Sequence, residues 1–265
     1  MVKFDFSNKV ILVAAGTKGI GFGIAEAFCK AGANVCICSR DESNVASASQ
    51  ALSDLGQGQV LALSGDIGDL EFLKSLVEKT EEHFGNSIDI LVNNSGGPPA
   101  KAAIDLMEND WSKSIDRNLM SIIRLSMLVT PGMKKKAWGR IINLTSVTAR
   151  EPAAGMALSN VTRAGVASYS KTLARELGPN GITVNTILTG GVKTERFYDL
   201  VKGQAERTGI TLEKTVESLE KNLPVRYISN PEEFAQTILF IASEEAGYLT
   251  GTAIALDGGS SNSIY

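Results

Sequence analysis

Seven short apolar runs alternate with stretches of helical periodicity along almost the whole chain. Each run is apolar at consecutive positions, which is typical of strands that are buried on both faces. The runs are Val10–Ala14, Asn34–Ser39, Val60–Ser64, Ile88–Asn93, Ile141–Thr145, Ile182–Leu188 and Ala253–Leu256. The helical stretches are Phe22–Ala31, Asp41–Leu55, Leu70–Phe84, Trp111–Met133, Ser159–Leu177 and Glu232–Ser243. This alternation predicts an α/β fold, a doubly wound domain whose seven-stranded parallel sheet has helices on both faces.

The chain has 265 residues, a length that suits one domain of this kind, and it shows no repeat or interdomain linker. We therefore predict a single domain over residues 1–265. The segment at about residues 190–224 breaks the alternation, because it is polar and charged and has only short helical pieces, Arg196–Gln204 and Leu212–Lys221. It follows the carboxyl end of a strand, where such sheets bind ligands. We predict that it forms a mobile substrate lid; a purely structural excursion is the alternative.

The composition limits the kinds of binding partner and the cellular compartment that we expect for this protein. The formal net charge is -3, so there is no electrostatic signature of binding to nucleic acid or to an anionic membrane surface. No apolar run approaches the roughly 18 residues that a membrane-spanning helix needs. Asp5 stands where the apolar core of a signal peptide would be, and the three cysteines form an odd set without metal-site spacing. We expect a cytoplasmic protein without a metal site.

A glycine-rich turn at residues 13–21, with the sequence VAAGTKGIG, joins the first predicted strand to the first helix. A strand, a glycine-rich turn and a helix together leave backbone N–H groups free at the helix N-terminus, where a phosphate can bind. The glycine spacing differs from the GxGxxG dinucleotide fingerprint. Taken alone, the turn is as compatible with a purely structural role as with phosphate binding.

Further motifs at consistent spacing resemble those of the short-chain dehydrogenase/reductase family. Asn118 also stands where that family has an asparagine in a helix. The motifs are Gly19-Ile20-Gly21, Gly65-Asp66-Ile67, Asn93-Asn94-Ser95-Gly96, Asn143-Leu144-Thr145-Ser146, Ala174-Arg175-Glu176-Leu177, Val184-Asn185 and Leu256-Asp257-Gly258-Gly259. The resemblance covers nearly the whole chain. It implies a Rossmann-type fold that binds a dinucleotide.

The resemblance also implies a set of cofactor-binding residues. They are Gly16, Thr17, Lys18, Gly19, Ile20, Gly21, Ser39, Arg40, Asp66, Ile67, Asn93, Asn94, Ser95, Gly96, Arg163, Gly190 and Val192. An acidic residue at the end of the second strand would favour the free ribose hydroxyl of NAD, but the chain there reads Cys38-Ser39-Arg40. The Ser39 hydroxyl can donate a hydrogen bond to a phosphate, and the Arg40 guanidinium can bind one through several hydrogen bonds. Lys18 adds a positive charge. We predict NADP rather than NAD; ordinary surface cations are the alternative.

The predicted catalytic residues depart from the family pattern. The family uses Ser, Tyr and Lys with a supporting Asn, and Ser146 and Asn118 match the first and the last of these. Ser159 stands at the Tyr position and Arg163 at the Lys position. A serine hydroxyl is a weaker acid than tyrosine, whose reference pKa is about 10, and an arginine stays charged. The chain thus resembles a divergent 3-oxoacyl-carrier-protein reductase-like subgroup with an altered tetrad.

Three hypotheses follow. The first is an NADP(H)-dependent oxidoreductase that acts on a small-molecule carbonyl or alcohol, 3-oxoacyl-like, with the proton supplied by a serine-bound water, the substrate or Glu151. The second is a non-catalytic NADP(H)-binding subunit or sensor. The third is a scaffold that binds no nucleotide. Family members commonly assemble through the helices that carry Asn118 and Ser159–Leu177, so the resemblance implies a homo-oligomer, a tetramer or a dimer.

Overall fold

The computed structural model describes residues 4–264; residues 1–3 and 265, the ends of the predicted domain, lie outside this range. One parallel sheet of seven strands forms the centre of the described chain, in the order β3-β2-β1-β4-β5-β6-β7. The strands are β1 (Val10–Val13), β2 (Asn34–Ser39), β3 (Val60–Ser64), β4 (Ile90–Asn93), β5 (Gly139–Leu144), β6 (Ile182–Thr189) and β7 (Ala253–Leu256). The predicted fold class is confirmed.

Helices cover both faces of the sheet. They are α1 (Gly19–Lys30), α2 (Glu42–Ser53), α3 (Leu70–Phe84), α4 (Glu108–Ile115), α5 (Ser121–Lys136), α6 (Ala157–Leu177), α7 (Glu195–Thr208), α8 (Leu212–Asn222) and α9 (Pro231–Ala242). Predicted helix Trp111–Met133 is interrupted, because a π-helical turn, Asp116–Met120, joins α4 to α5. Hydrophobic periodicity cannot reveal such a turn, since it adds about one residue without ending the helix.

Two apolar layers explain why β1 is apolar at every position. Ile11 and Val13 point into one cluster, which α1, α2 and α9 cover. Val10 and Leu12, the alternate residues of β1, point into a second cluster under α3, α5 and α6. Successive side chains of a strand face opposite sides, so a strand between two helical layers carries apolar side chains on both of its faces.

The strand order reverses between β1 and β4, which lie side by side although two strands separate them in sequence. Where the connections that follow two neighbouring strands run in opposite directions, a crevice opens at the carboxyl ends of those strands. Ligands of doubly wound sheets bind in this crevice. The segment at residues 190–224 follows β6 at this same edge and contains α7 and α8, so both short helical pieces predicted in it are present. No helix within residues 4–264 combines the length and the apolar character required to cross a bilayer.

Candidate active site

A cleft of about 750 Å³ lies at the carboxyl edge of the sheet. Residues at or just beyond the carboxyl ends of six different strands contribute to its wall: Ala15, Arg40, Asp66, Asn94, Thr145 and Thr189. The N-terminal end of α7 borders it with Glu195 and Arg196. Its size is in the usual range for a small-molecule or cofactor site.

The glycine-rich turn forms one end of the cleft with closely packed backbone. A side chain at Gly16 would come within 2.8 Å of Ile37, and one at Gly21 within 2.7 Å of the Asn94 amide nitrogen. Asn94 Nδ2 donates to the carbonyl oxygen of Ala15 at 3.1 Å, which fixes the turn to the end of β4. Lys18, the N-cap of α1, offers no side-chain acceptor to the first N–H groups of the helix. These donors remain available to an anion.

Ala15 occupies the position where the resemblance has the first glycine of the motif, and its backbone is left-handed, with φ of 47°. This conformation costs a residue with a side chain about 1–2 kcal/mol, whereas glycine adopts it freely. The turn therefore keeps a glycine-like path without glycine.

The cations predicted to select NADP lie at the same end. Ser39 and Arg40 line the cleft beside Asn44, which sequence reasoning missed. Arg40 is exposed and makes no salt bridge to any residue in the described range. Lys18 Nζ lies 3.3 Å from Glu195 Oε2 of α7, so this ammonium group connects the turn to the segment over the cleft.

Asp66, one of the predicted cofactor-binding residues, has a carboxylate that is already hydrogen-bonded. Arg117 donates to it from Nε at 3.3 Å and also from Nη2, and the Gly68 N–H donates at 3.0 Å. Partial burial raises the pKa of Asp66, but the hydrogen bonds from Arg117 and Gly68 more than offset this effect and hold the pKa below its ordinary value. Arg117 was not predicted, although it immediately precedes Asn118.

A polar cluster of Ser95, Asn118 and Arg163 lines the other end of the cleft. Asn118 lies in the π-helical turn, and its Nδ2 donates to Ser95 Oγ at 2.9 Å and to the Gly96 carbonyl oxygen at 2.7 Å. Arg163 Nη1 donates to the same Ser95 oxygen at 3.2 Å and to the Leu144 carbonyl oxygen at 3.1 Å. The structure therefore brings together three of the predicted site residues through the Ser95 hydroxyl.

The Arg163 guanidinium is a buried cation. The residue is 5% exposed, it has no carboxylate partner among residues 4–264, and its Nε–H lacks an acceptor there. Burial lowers the pKa of Arg163 to about 10, so the group is charged at neutral pH. A desolvated charge without a counter-ion acts strongly on any negative charge that forms nearby.

The other two predicted catalytic residues, Ser146 and Ser159, lie close together because both contact Thr148. Ser159 Oγ is 3.2 Å from Thr148 Oγ1, and Ser146 Oγ accepts a hydrogen bond from the Thr148 N–H at 3.2 Å. Ser159 is 5% exposed, and neither serine lines the cleft within the described chain. Glu151, the speculative acid, accepts a hydrogen bond from the backbone N–H of Ser263.

The remaining predicted cofactor residues divide into two groups. Five line the cleft directly: Thr17, Gly19, Ile20, Ile67 and Gly96. Asn93 instead lies in the core, where its Nδ2 donates to Asn143 Oδ1 at 2.8 Å, and Val192 is buried beside Ser229. Gly190 approaches Asp257 so closely that an added Cβ would lie 2.6 Å from it.

These features fit a dinucleotide. The turn leaves no room for side chains at Gly16 and Gly21, and the N-terminus of α1 has no side-chain cap. Arg40, which has no salt-bridge partner within residues 4–264, stands at the end of β2 where a ribose phosphate would lie. The cleft continues from there to the Ser95 cluster, so one extended ligand and a second, smaller one can share it.

Comparison with known proteins agrees with this reading. A family model described as enoyl-(acyl carrier protein) reductase matches residues 14–261. The 3-oxoacyl-[acyl-carrier-protein] reductase of Vibrio cholerae is 34% identical over 255 residues, which cover 96% of this chain and 98% of the relative. The chain belongs to the short-chain dehydrogenase/reductase family. The corresponding reductase of Escherichia coli strain K12 is 33% identical, with the same coverage of both chains.

Solved structures of this family share the whole fold. The L-sorbose reductase of Gluconobacter frateurii, solved as a complex with NADPH and L-sorbose, superposes with a TM-score of 0.94 at 30% identity. The match covers 99% of this chain and all of that one. An NADPH-dependent reductase involved in bacilysin biosynthesis has a TM-score of 0.91 at 28% identity, over 97% of this chain and all of its own.

Proposed function

We propose that the chain is an NADP(H)-dependent reductase that acts on a small-molecule carbonyl compound, 3-oxoacyl-like, with an altered catalytic tetrad. One observation carries the proposal: a single cleft runs from the glycine-rich turn, past Lys18 and Arg40, to the cluster of Ser95, Asn118 and Arg163. The relatives that hold NADPH or reduce 3-oxoacyl groups support the choice of cofactor and substrate class.

The chain's own groups have distinct tasks in this proposal. The turn and the N-terminus of α1 bind the pyrophosphate, and Arg40 with Ser39 binds the ribose phosphate that distinguishes NADP from NAD. When bound, the cofactor supplies or removes a hydride. Asn118 and Arg163 orient the polar groups that lie beside the carbonyl carbon of the substrate. Arg163 also stabilises the negative charge that develops on the carbonyl oxygen.

The test has two steps, binding and turnover. Calorimetric titration should give an NADPH affinity at least tenfold above the NADH affinity. Oxidation of NADPH, followed by absorbance, should then occur with at least one member of a carbonyl panel that includes a 3-oxobutanoyl thioester of N-acetylcysteamine. Tight NADPH binding without turnover on the whole panel would contradict the reductase proposal.

A non-catalytic NADP(H)-binding subunit or sensor is the second candidate. It is favoured by Ser159 and Arg163, which replace the family's Tyr and Lys, and by the contact that Ser159 makes with Thr148 instead of with the cleft. A purified chain that is stable and turns over substrate without another protein would exclude it. Binding of neither nucleotide would favour the scaffold hypothesis.

Two further expectations belong to the proposal. The segment at residues 190–224 acts as a substrate lid, an idea supported by the Lys18–Glu195 ion pair and by the hydrogen bond from Arg196 Nη2 to the Pro98 carbonyl oxygen at 3.4 Å. The protein works in the cytoplasm as a homo-oligomer. Light scattering of the purified chain would reveal a dimer or a tetramer, and a monomer at working concentration would contradict this expectation.

A further inference from the structure

The hydroxyl of Ser95 has an unusual hydrogen-bonding position in the cleft wall. Its oxygen accepts from Asn118 Nδ2 at 2.9 Å and from Arg163 Nη1 at 3.2 Å. Neither an amide NH₂ nor a guanidinium can accept in return, and a serine hydroxyl has two acceptor positions and one proton. Both acceptor positions are therefore used, and the proton has no acceptor among the described residues.

We infer that Ser95 is the proton donor to the substrate's carbonyl oxygen, an inference that rests on the proposed reductase function. In the step, the carbonyl carbon gains a hydride from a reduced nicotinamide, and the carbonyl oxygen takes the proton as the Ser95 O–H bond breaks. The product is an alcohol, the nicotinamide is oxidised, and Ser95 is left as an alkoxide. Water returns a proton to Ser95 and leaves as hydroxide.

The surroundings of Ser95 favour the loss of its proton. Two donors point at its oxygen, and hydrogen bonds to the charged form of a group stabilise that form. One of the donors, Arg163, is a buried cation, so its charge acts in a medium of low polarity. No carboxylate among residues 4–264 neutralises this charge. Arg163 and Asn118 thus stabilise the alkoxide in the way that an oxyanion hole stabilises a tetrahedral intermediate.

The alternative serines are less suitable. The Ser159 hydroxyl pairs with Thr148, and the Ser146 oxygen accepts from a backbone N–H. No cation donates to either oxygen within the described chain, and neither residue lines the cleft. Ser95 combines exposure to the cleft, a proton without an acceptor and an adjacent positive charge.

The first experiment compares serine-to-alanine variants under NADPH saturation, with the 3-oxobutanoyl thioester of N-acetylcysteamine as substrate. Ser95→Ala should lower kcat about 100-fold or more, which is the usual contribution of general acid catalysis. Ser146→Ala and Ser159→Ala should each lower it less than tenfold. The matched control is Ser126→Ala, because Ser126 is fully buried and accepts from an asparagine amide, Asn93 Nδ2, away from the cleft. Its kcat should be unchanged.

Two further measurements separate catalysis from structure. Ser95→Thr keeps the hydroxyl, so it should retain kcat within about tenfold of the parent. If Ser95 had only a structural role, the larger threonine side chain would disturb the packing and lower kcat as much as alanine does. The second measurement needs no turnover: protein saturated with NADP⁺ is titrated calorimetrically with the same thioester. Ser95→Ala should bind the thioester about fivefold more weakly, as expected for one lost hydrogen bond.

The outcomes are distinguishable. A parent that reduces the thioester, with Ser95→Ala equally active and equally tight for the thioester, would overturn the assignment of Ser95 and leave the proposed function intact. The same holds if Ser146→Ala or Ser159→Ala abolishes turnover while Ser95→Ala does not. A parent inactive on every carbonyl tested would overturn the proposed function, and the Ser95 assignment with it.

Discussion

The two ends of the cleft are built from different parts of the polypeptide. At the glycine-rich turn the wall of the cleft consists of backbone, which packs closely because Gly16 and Gly21 have no side chains. At the other end the wall is side chain, where Ser95, Asn118 and Arg163 form the polar surface. A backbone cradle accepts only glycine-like residues, whereas a side-chain cluster can exchange one donor for another. We therefore expect the cofactor end to tolerate fewer substitutions than the reaction end.

The largest effect should come from filling the backbone cradle. Gly21→Ala places a Cβ 2.7 Å from Asn94 Nδ2 and even closer to the Ala15 carbonyl oxygen, so the turn must move. We expect the NADPH affinity, measured by calorimetry, to fall on the order of 100-fold. Gly203→Ala in α7 is the control, because a Cβ there meets nothing within 4 Å. Equal NADPH affinities in the two variants would show that the turn is not the phosphate site.

The next effect concerns the cation that distinguishes the two nucleotides. Arg40→Ala should weaken NADPH binding about ten- to a hundredfold, because a charge-assisted hydrogen bond to the ribose phosphate is lost, and should leave NADH binding unchanged. Lys30→Ala serves as the control, since Lys30 is an exposed cation at the end of α1, where it pairs with Glu26. A parallel loss of affinity for both nucleotides would contradict the assignment of Arg40 to the phosphate.

A smaller effect tests the strain in the turn. Ala15→Gly should raise the free energy of unfolding by about 1 kcal/mol, because glycine adopts the positive φ of this position without strain. The melting temperature, measured by calorimetry, should rise by about 2–4 °C. The same change at exposed Ala51 in α2 should destabilise by about 1 kcal/mol, since its backbone is helical. A loss of stability in Ala15→Gly would show that the turn is not strained.

The smallest effect is electrostatic and depends on pH. The pKa of Asp66 in the folded chain lies below its ordinary value of 3.8. Its ionised form therefore stabilises the fold above about pH 4, and this contribution is lost as the pH falls through the folded-state pKa. Asp66→Asn should cost a few tenths of a kcal/mol at pH 7, because Asp66 is partly exposed and solvent screens the pair. Denaturant unfolding at pH 7 and pH 3 should show the difference shrink in acid; a constant difference would exclude a charge effect.

The sequence predicted the fold more completely than the site because the two depend on contacts of different range. Strand positions follow from local apolar runs, and the errors are small: β4 begins at Ile90 rather than Ile88, and α1 begins at Gly19 rather than Phe22. The cofactor residues follow each strand at the same edge, so spacing alone places most of them around the cleft.

The hydrogen bonds within the reaction end could not be predicted in the same way. Ser95 meets Asn118 across 23 residues of chain and Arg163 across 68, and no local pattern encodes either contact. Ser159 was assigned to the site by its position, yet its hydroxyl pairs with Thr148 in the short turn that follows β5. The pairing of hydrogen-bond donors with acceptors depends on how the side chains pack. The spacing of motifs predicts only which residues come near one another.

The π-helical turn has one more consequence, for the direction in which the Asn118 side chain projects. A π-helical turn holds about one residue more than a regular α-helical turn, so the flanking helices stay in register while residues inside the turn project in directions that a regular helix would not give them. Removing one residue from Asp116–Met120 would restore the regular α-helix and change the direction of Asn118, so its Nδ2 would lose the Ser95 hydroxyl while α4 and α5 kept their packed faces. The reaction end therefore depends on the length of this turn as well as on its composition, and a single-residue deletion there is a more severe change than most substitutions.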